Sequence, residues 1–127
     1  MLDVFGIPDS TVADVQVFNL PSTVTNTQWH TYIRPRGKSM LHAIVIGGGG
    51  GGGGGFTAAA AAARGGGGGG GSSAVTRITI PMIFVPDRLY IQVGAGGQGV
   101  GSGGGTAGSG VLSYIAIAPN TTASNVL

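Results

Sequence analysis

Met40-Leu41-His42-Ala43-Ile44-Val45-Ile46 runs directly into nine glycines, Gly47 to Gly55, followed by Phe56-Thr57, six alanines from Ala58 to Ala63, Arg64, and seven glycines from Gly65 to Gly71. The apolar, β-branched heptad reads as a strand that is buried on both faces or covered by a further layer. The glycines after this strand decide the fold. A strand entering a helix would announce an α/β unit, but nine glycines postpone any helix, and six alanines are too few to sustain an independent one. The stretch also holds no side chain able to act as acid, base or nucleophile, so it speaks of architecture rather than of a reaction.

Working outward, the segment Gln28-Trp29-His30-Thr31-Tyr32-Ile33-Arg34 ends at Pro35, and Pro35-Arg36-Gly37-Lys38 separates it from the apolar heptad. Two β-rich runs with this connection read as a hairpin. After Gly71, Ala74 to Ile80 alternates with period two, placing Thr76, Ile78 and Ile80 on one face and Val75, Arg77 and Thr79 on the other. Pro81 and Pro86-Asp87 mark breaks. Arg88 to Val93 alternates again with Leu89, Ile91 and Val93 inward, and Val111 to Ile117 closes the set after a third, looser glycine block from Gly94 to Gly110. Five or more strands without an amphipathic helix predict an all-β protein, a single jelly-roll-like β-sandwich with long ordered glycine-rich loops. Residues 1–26, punctuated by Pro8 and Pro21, read as an N-terminal arm or edge strands. Residues 27–127 form the glycine-rich domain, ending in an irregular tail from Asn120 to Leu127.

Composition narrows the function classes. The 127 residues allow one compact domain, and 42 % apolar residues suffice for a core. Only 8 % are charged, which argues against a disordered chain. The net charge of +2 is too small to indicate a nucleic-acid partner. Cysteine is absent, so disulfides and Cys-based metal sites are excluded. No secretory signal is expected from the first residues, and no apolar run is long enough for membrane insertion.

The 28 glycines permit three readings. Each glycine held in place costs about 1–2 kcal/mol of backbone entropy and buries no side chain, so disorder is the simplest. The second is extended left-handed threefold helices, polyglycine II, packed side by side. Lacking Cβ atoms, these approach closely and bond laterally, and nine residues would span about 28 Å at 3.1 Å each. The eight positions Gly47, Gly50, Gly53, Gly65, Gly68, Gly71, Gly96 and Gly97 are the candidate packing glycines. The third reading is a phosphate-cradling loop, which fails on context. Gly94-Ala95-Gly96-Gly97-Gln98-Gly99 matches G-x-G-x-x-G, but it leads into no helix start. Gly37-Lys38-Ser39 echoes a phosphate loop but precedes its strand and has Tyr32 at the first glycine position.

Other constellations are thinner. His30 and His42 would face each other across a hairpin, yet no third ligand accompanies them, so both read as half-buried strand histidines. Ser72, Ser73, Asp87 and the histidines assemble a triad on paper only. Arg64-Gly65-Gly66 lacks the repeats and aromatics of RNA-binding segments, and Asn120-Thr121-Thr122 is a glycosylation pattern too common to use. The sequence calls for no catalytic residue, cofactor or metal.

The order of Trp29, Arg34-Pro35-Arg36-Gly37, the strand Met40 to Ile46 entering Gly47 to Gly55, then Leu89-Tyr90-Ile91-Gln92-Val93-Gly94-Ala95-Gly96-Gly97 and a last strand resembles the glycine-rich domain of bacteriophage virion proteins, especially tail fibres and adhesins. The resemblance covers about residues 27–118, and the alanine run is a departure from it. It implies a non-enzymatic β-structured virion component, in a tail, a fibre or a capsid decoration, that acts by packing and surface presentation and serves host attachment. The expected partners are itself, with a trimer the first expectation, other virion proteins and a host surface receptor. Phe56, Thr57, Ala58, Ala60, Ala63 and Arg64 form the candidate contact or receptor surface, an apolar segment between two glycine runs. The alternative is a cellular extracellular glycine-rich protein that polymerises into adhesive filaments.

Overall fold

The computed structural model describes residues 12–56, 59, 65–101, 103 and 105–127. Among the described residues there are five strands, β1 (Thr27–Ile33), β2 (Met40–Ile46), β3 (Val75–Pro81), β4 (Arg88–Gly94) and β5 (Tyr114–Ala116), and two short 3-10 turns, Met82–Phe84 and Ala123–Asn125. They form two small antiparallel sheets, one ordered β1-β4-β5 and one β2-β3, and the described residues contain no α-helix. The fold is all-β.

The expected hairpin between the Trp29 run and the apolar heptad is not formed. β1 pairs with β4, with Thr27 opposite Gly94 and Ile33 opposite Arg88, whereas β2 pairs with β3, with Met40 opposite Pro81 and Ile46 opposite Val75. Residues 34–39 therefore cross from one sheet to the other. The physical reason lies in the connection: Gly37 takes the left-handed φ of +72°, and Arg34 N–H extends the β1–β4 register by one pair, donating to the Asp87 carbonyl at 3.0 Å. With its backbone bonded to residue 87, the chain is carried away from β1 instead of folding back on it.

The core obeys the alternation. Tyr32, Met82, Val85, Leu89 and Ile115 are buried together, and Leu41, Ala43, Val45, Ile78, Ile80 and Ile91 pack against them, as does Phe18 from the segment before β1. Leu89 is the largest side chain that is fully buried, at 1 % exposure. One face of β2 thus meets the core, but the other is open: Met40, Ile44 and Ile46 are more than half exposed, alongside Val75 on β3. Coverage on both faces, expected from the continuous apolar run, is not present among the described residues. A two-stranded sheet has one layer to pack against, and here that layer is the core.

The edge of β5 is closed by the tail. Ala116 bridges to Val126, Ile117 N–H donates to Asn125 O at 2.8 Å and Leu127 N–H to Ile115 O at 2.9 Å. Described residues 12–26 carry no strand.

The seven-residue strands give the molecule two ends. At one, β2 runs into Gly47, β3 emerges from Ala74, and β4 runs into Ala95, whose N–H donates to Asn26 O at 2.7 Å. At the other lie the connections 34–39 and 82–87.

Candidate functional site

Four glycine-rich runs leave the first of these ends: run I (47–56), run II (65–74), run III (94–101) and run IV (105–111). Their mutual hydrogen bonds obey a strict rule. Gly47 donates to Ala74 O, Gly50 to Gly71 O, Gly53 to Gly68 O and Phe56 to Gly65 O, at 2.9 to 3.1 Å. Donors advance by three while acceptors retreat by three, so runs I and II lie antiparallel. Gly48 donates to Val111 O and Gly51 to Gly108 O, both at 2.9 Å, which sets run IV antiparallel on a second face of run I. On the third face, Gly97 donates to Gly49 O at 2.7 Å and Val100 to Gly52 O at 2.9 Å, with Gly103 reaching Gly55 O at 3.3 Å, so run III lies parallel. Runs III and IV are joined as well, Gly108 donating to Gln98 O and Val111 to Ala95 O at 2.9 Å.

A bond to the same neighbour at every third residue is the repeat of an extended threefold helix, which has no internal hydrogen bonds and must find lateral ones. Among the described glycines of the runs only Gly103 and Gly105 have a positive φ, at 122° and 145°. They sit where the chain reverses between runs III and IV. Elsewhere the backbone is in a region open to any L-residue, so conformational freedom does not explain the glycine.

Close approach explains it. A Cβ on Gly48, Gly51 or Gly54 would fall inside 3.0 Å of the carbonyl oxygen of Ala95, Gln98 or Gly101 respectively. Gly67 and Gly70 stand in the same relation to Gly53 and Gly50, and Gly97 and Gly110 to Gly108 and Gly48. These positions also recur at intervals of three. Run I, with neighbours on all three faces, is the axis of the bundle.

Of the eight sequence-derived packing glycines, six take part in the bonds between runs I and II, and Gly97 is at a position closed to a Cβ. Gly47, Gly50 and Gly53 donate the bonds to run II, and Gly65, Gly68 and Gly71 accept bonds from run I. Yet a Cβ at Gly47, Gly53 or Gly71 meets only ordinary contacts, between 3.5 and 3.9 Å, at Gly50 3.4 Å and at Gly96 3.5 Å, and at Gly68 nothing lies within 4 Å. Gly97 alone of the eight is both bonded and sterically closed. Reasoning from sequence missed the register, because positions within an unbroken glycine run look identical. The broken pattern Gly94-Ala95-Gly96-Gly97-Gln98-Gly99-Val100 held the signal, with glycine at 94 and 97, where a Cβ cannot fit.

The candidate contact segment is only partly visible. Phe56 stands at the far end of run I, 65 % exposed, with its N–H on Gly65 O. Thr57, Ala58, Ala60, Ala63 and Arg64 lie outside the described residues. The histidines are apart, His30 on β1 tilted against the Phe18 ring at a centroid distance of 5.6 Å, and His42 on β2 with Nδ1 at 2.8 Å from Thr79 Oγ1. Among the described residues no group of three His, Cys, Asp or Glu could hold a metal, and no helix is long and apolar enough to cross a membrane.

A small all-β body bearing a laterally bonded glycine bundle defines an all-β glycine-rich domain. The sequence profile of the family described as "Glycine-rich domain" matches residues 23–125, and the chain belongs to that family. No curated protein and no solved structure matches the chain.

Proposed function

We propose that this chain is a structural protein of a bacteriophage virion, a tail or fibre component or a capsid decoration, that works by oligomeric packing and by presenting the far end of its glycine bundle, including in host attachment. On this reading the two sheets are the layers of a single jelly-roll-like sandwich, and the four runs are packed polyglycine II helices. The observation that carries the proposal is run II. Gly66, Gly68 and Gly69 have no atom within 4 Å of where a Cβ would stand and no positive φ, so nothing among the described residues demands glycine there. Each costs about 1 kcal/mol of entropy relative to alanine, a cost that makes sense on a face reserved for another backbone. Its partner would be run II or another outer run of a second copy, which suits a homo-oligomer such as a trimer, and other virion proteins would anchor the assembly. The order of motifs around Trp29 and Val93 supports placing that assembly on a phage particle.

Electron microscopy of the native source, with gold-labelled antibody against the chain, tests this reading. Label on capsid-bearing particles is the expected result. Label on free filaments without particles would overturn it in favour of a cellular extracellular glycine-rich protein.

A further inference from the structure

The end of the sheets opposite the glycine runs concentrates the charge of the chain. Connections 34–39 and 82–87 form one surface there, joined by the Met82 N–H to Ser39 O bond at 2.7 Å and the Arg34 N–H to Asp87 O bond at 3.0 Å. Of six Lys and Arg residues in the chain, Arg34, Arg36, Lys38 and Arg88 lie on this surface or at its rim, against the carboxylate of Asp87.

The same surface carries an apolar knob. Met82 and Val85 are buried at 6 % and 2 % exposure and hold between them a single 3-10 turn, Met82–Phe84, that turns Ile83 and Phe84 outward at 84 % and 77 % exposure. Arg34 fastens the base of the turn: its guanidinium pairs with Asp87 at 2.7 Å and donates to the carbonyls of Met82 at 3.3 Å and Val85 at 3.0 Å. Beside the knob is a cleft of about 530 Å³ lined by Arg34, Arg36, Lys38, Ser39 and Ile83, among others. Lys38 also reaches the Val12 carbonyl, so the cleft wall is tied to the segment before β1.

We propose that this end is a docking surface for a protein partner that offers an apolar socket to Ile83 and Phe84 and carboxylates to Arg36, Arg88 and the cationic cleft. Exposed adjacent apolar side chains held between two buried anchors lose little freedom on binding, which is the property of an interface anchor. The surrounding cations set the sign of the partner and its approach. A lipid surface would also attract cations and an apolar tip, but the cations here line a concave cleft beside the knob instead of spreading over a flat face, which favours a shaped protein partner over a planar membrane. The inference stands independently of the virion reading, since it concerns the pole away from the glycine bundle.

The test is selection of a random peptide library on the full chain, and then binding of the selected peptides to Ile83→Ser/Phe84→Ser and to Arg36→Glu. Both variants alter exposed side chains, and unchanged melting curves verify that they fold. The expected peptides combine Asp or Glu with a large apolar residue, and each variant weakens them by at least about tenfold. Peptides without acidic enrichment, or binding indifferent to both variants, would overturn the proposal. So would failure to select any peptide, or binding to phosphatidylcholine vesicles containing phosphatidylserine that is lost in the same variants.

Discussion

Gly51 and Gly108, which lie far apart in sequence, are joined by an N–H to O bond of 2.9 Å, and the Gly51 Cα at the same time faces the carbonyl of Gln98 too closely to admit a Cβ. One residue thus bonds one neighbouring run and touches another. Repeated at Gly48, three residues earlier in run I, this relation converts residues with no side chain into an ordered bundle. The favourable terms are lateral hydrogen bonds, each contributing about 0.5–1.5 kcal/mol net, and the avoided cost of leaving buried backbone groups unpaired. Against them stands a glycine entropy of about 1–2 kcal/mol per residue.

That balance predicts where amide protons are held. Gly50, Gly51 and Gly53 donate within the bundle, whereas Gly66 and Gly69 have no backbone acceptor among the described residues and are exposed. In the monomeric chain, hydrogen exchange monitored by NMR will show slow amides at the first three and fast ones at the last two. Uniform exchange along both runs would contradict the three-residue repeat.

At the opposite pole, Arg34 matters for its carbonyl bonds more than for its ion pair. Asp87 is 86 % exposed, so Asp87→Asn will cost less than about 1 kcal/mol. Arg34→Met removes the donors to Met82 O and Val85 O and will cost about 1–2 kcal/mol in chemical denaturation. Equal losses in the two variants would show that the pair, not the turn, is what Arg34 supports.

Tyr32 sets an alkaline limit. Burial raises its phenol above the ordinary value of 10.0, Asp14 adds to the rise and Arg34 opposes it. The folded chain therefore binds this proton more tightly than the unfolded one. The associated stability is fully present below about pH 10 and is lost as pH rises through the folded value. Melting temperature will fall over that range in the native protein and less steeply in Tyr32→Phe; parallel slopes would remove Tyr32 as the cause.

The core is small, so single deletions weigh heavily. Leu89 is 1 % exposed, and Leu89→Ala will cost about 2–5 kcal/mol. Against a typical total of about 5–15 kcal/mol, that leaves a protein that is partly unfolded well below the native melting temperature, as circular dichroism will register.

Much of the strand content was legible because period-two alternation is written into Leu89 and Ile91 and into Ile78 and Ile80, which all meet the core. Strand partners were not. The connection Pro35-Arg36-Gly37-Lys38 is compatible with a hairpin, and it is the pairing of β1 with β4 and of β2 with β3, both distant in sequence, that divides the two runs between sheets. The open face of β2 was hidden for a related reason, since apolar residues such as Ile44 look alike whether a layer covers them or not. Buried Gln92, whose Nε2 donates to Leu112 O at 3.2 Å, gave no signal either, because its partner is a backbone atom. Within the bundle, chemical identity erased the register: Gly50 and Gly51 differ in environment and not in type. Ile83 and Phe84 lie between the breaks at Pro81 and Pro86-Asp87, and their outward placement depends on the burial of Met82 and Val85 on either side.

The most direct test of the bundle is a pair of alanine substitutions compared by reversible denaturation at a dilution where the chain is monomeric, so that packing of run II on a second copy does not enter the comparison. Gly51→Ala places a methyl group against the Gln98 carbonyl and forces runs I and III apart, while Gly68→Ala enters open space at an ordinary φ. The structure predicts a loss of at least about 3 kcal/mol for the first, and for the second no loss, or a gain of about 0.4–1 kcal/mol from reduced freedom of the unfolded chain. Equal effects at the two glycines would contradict the threefold bundle.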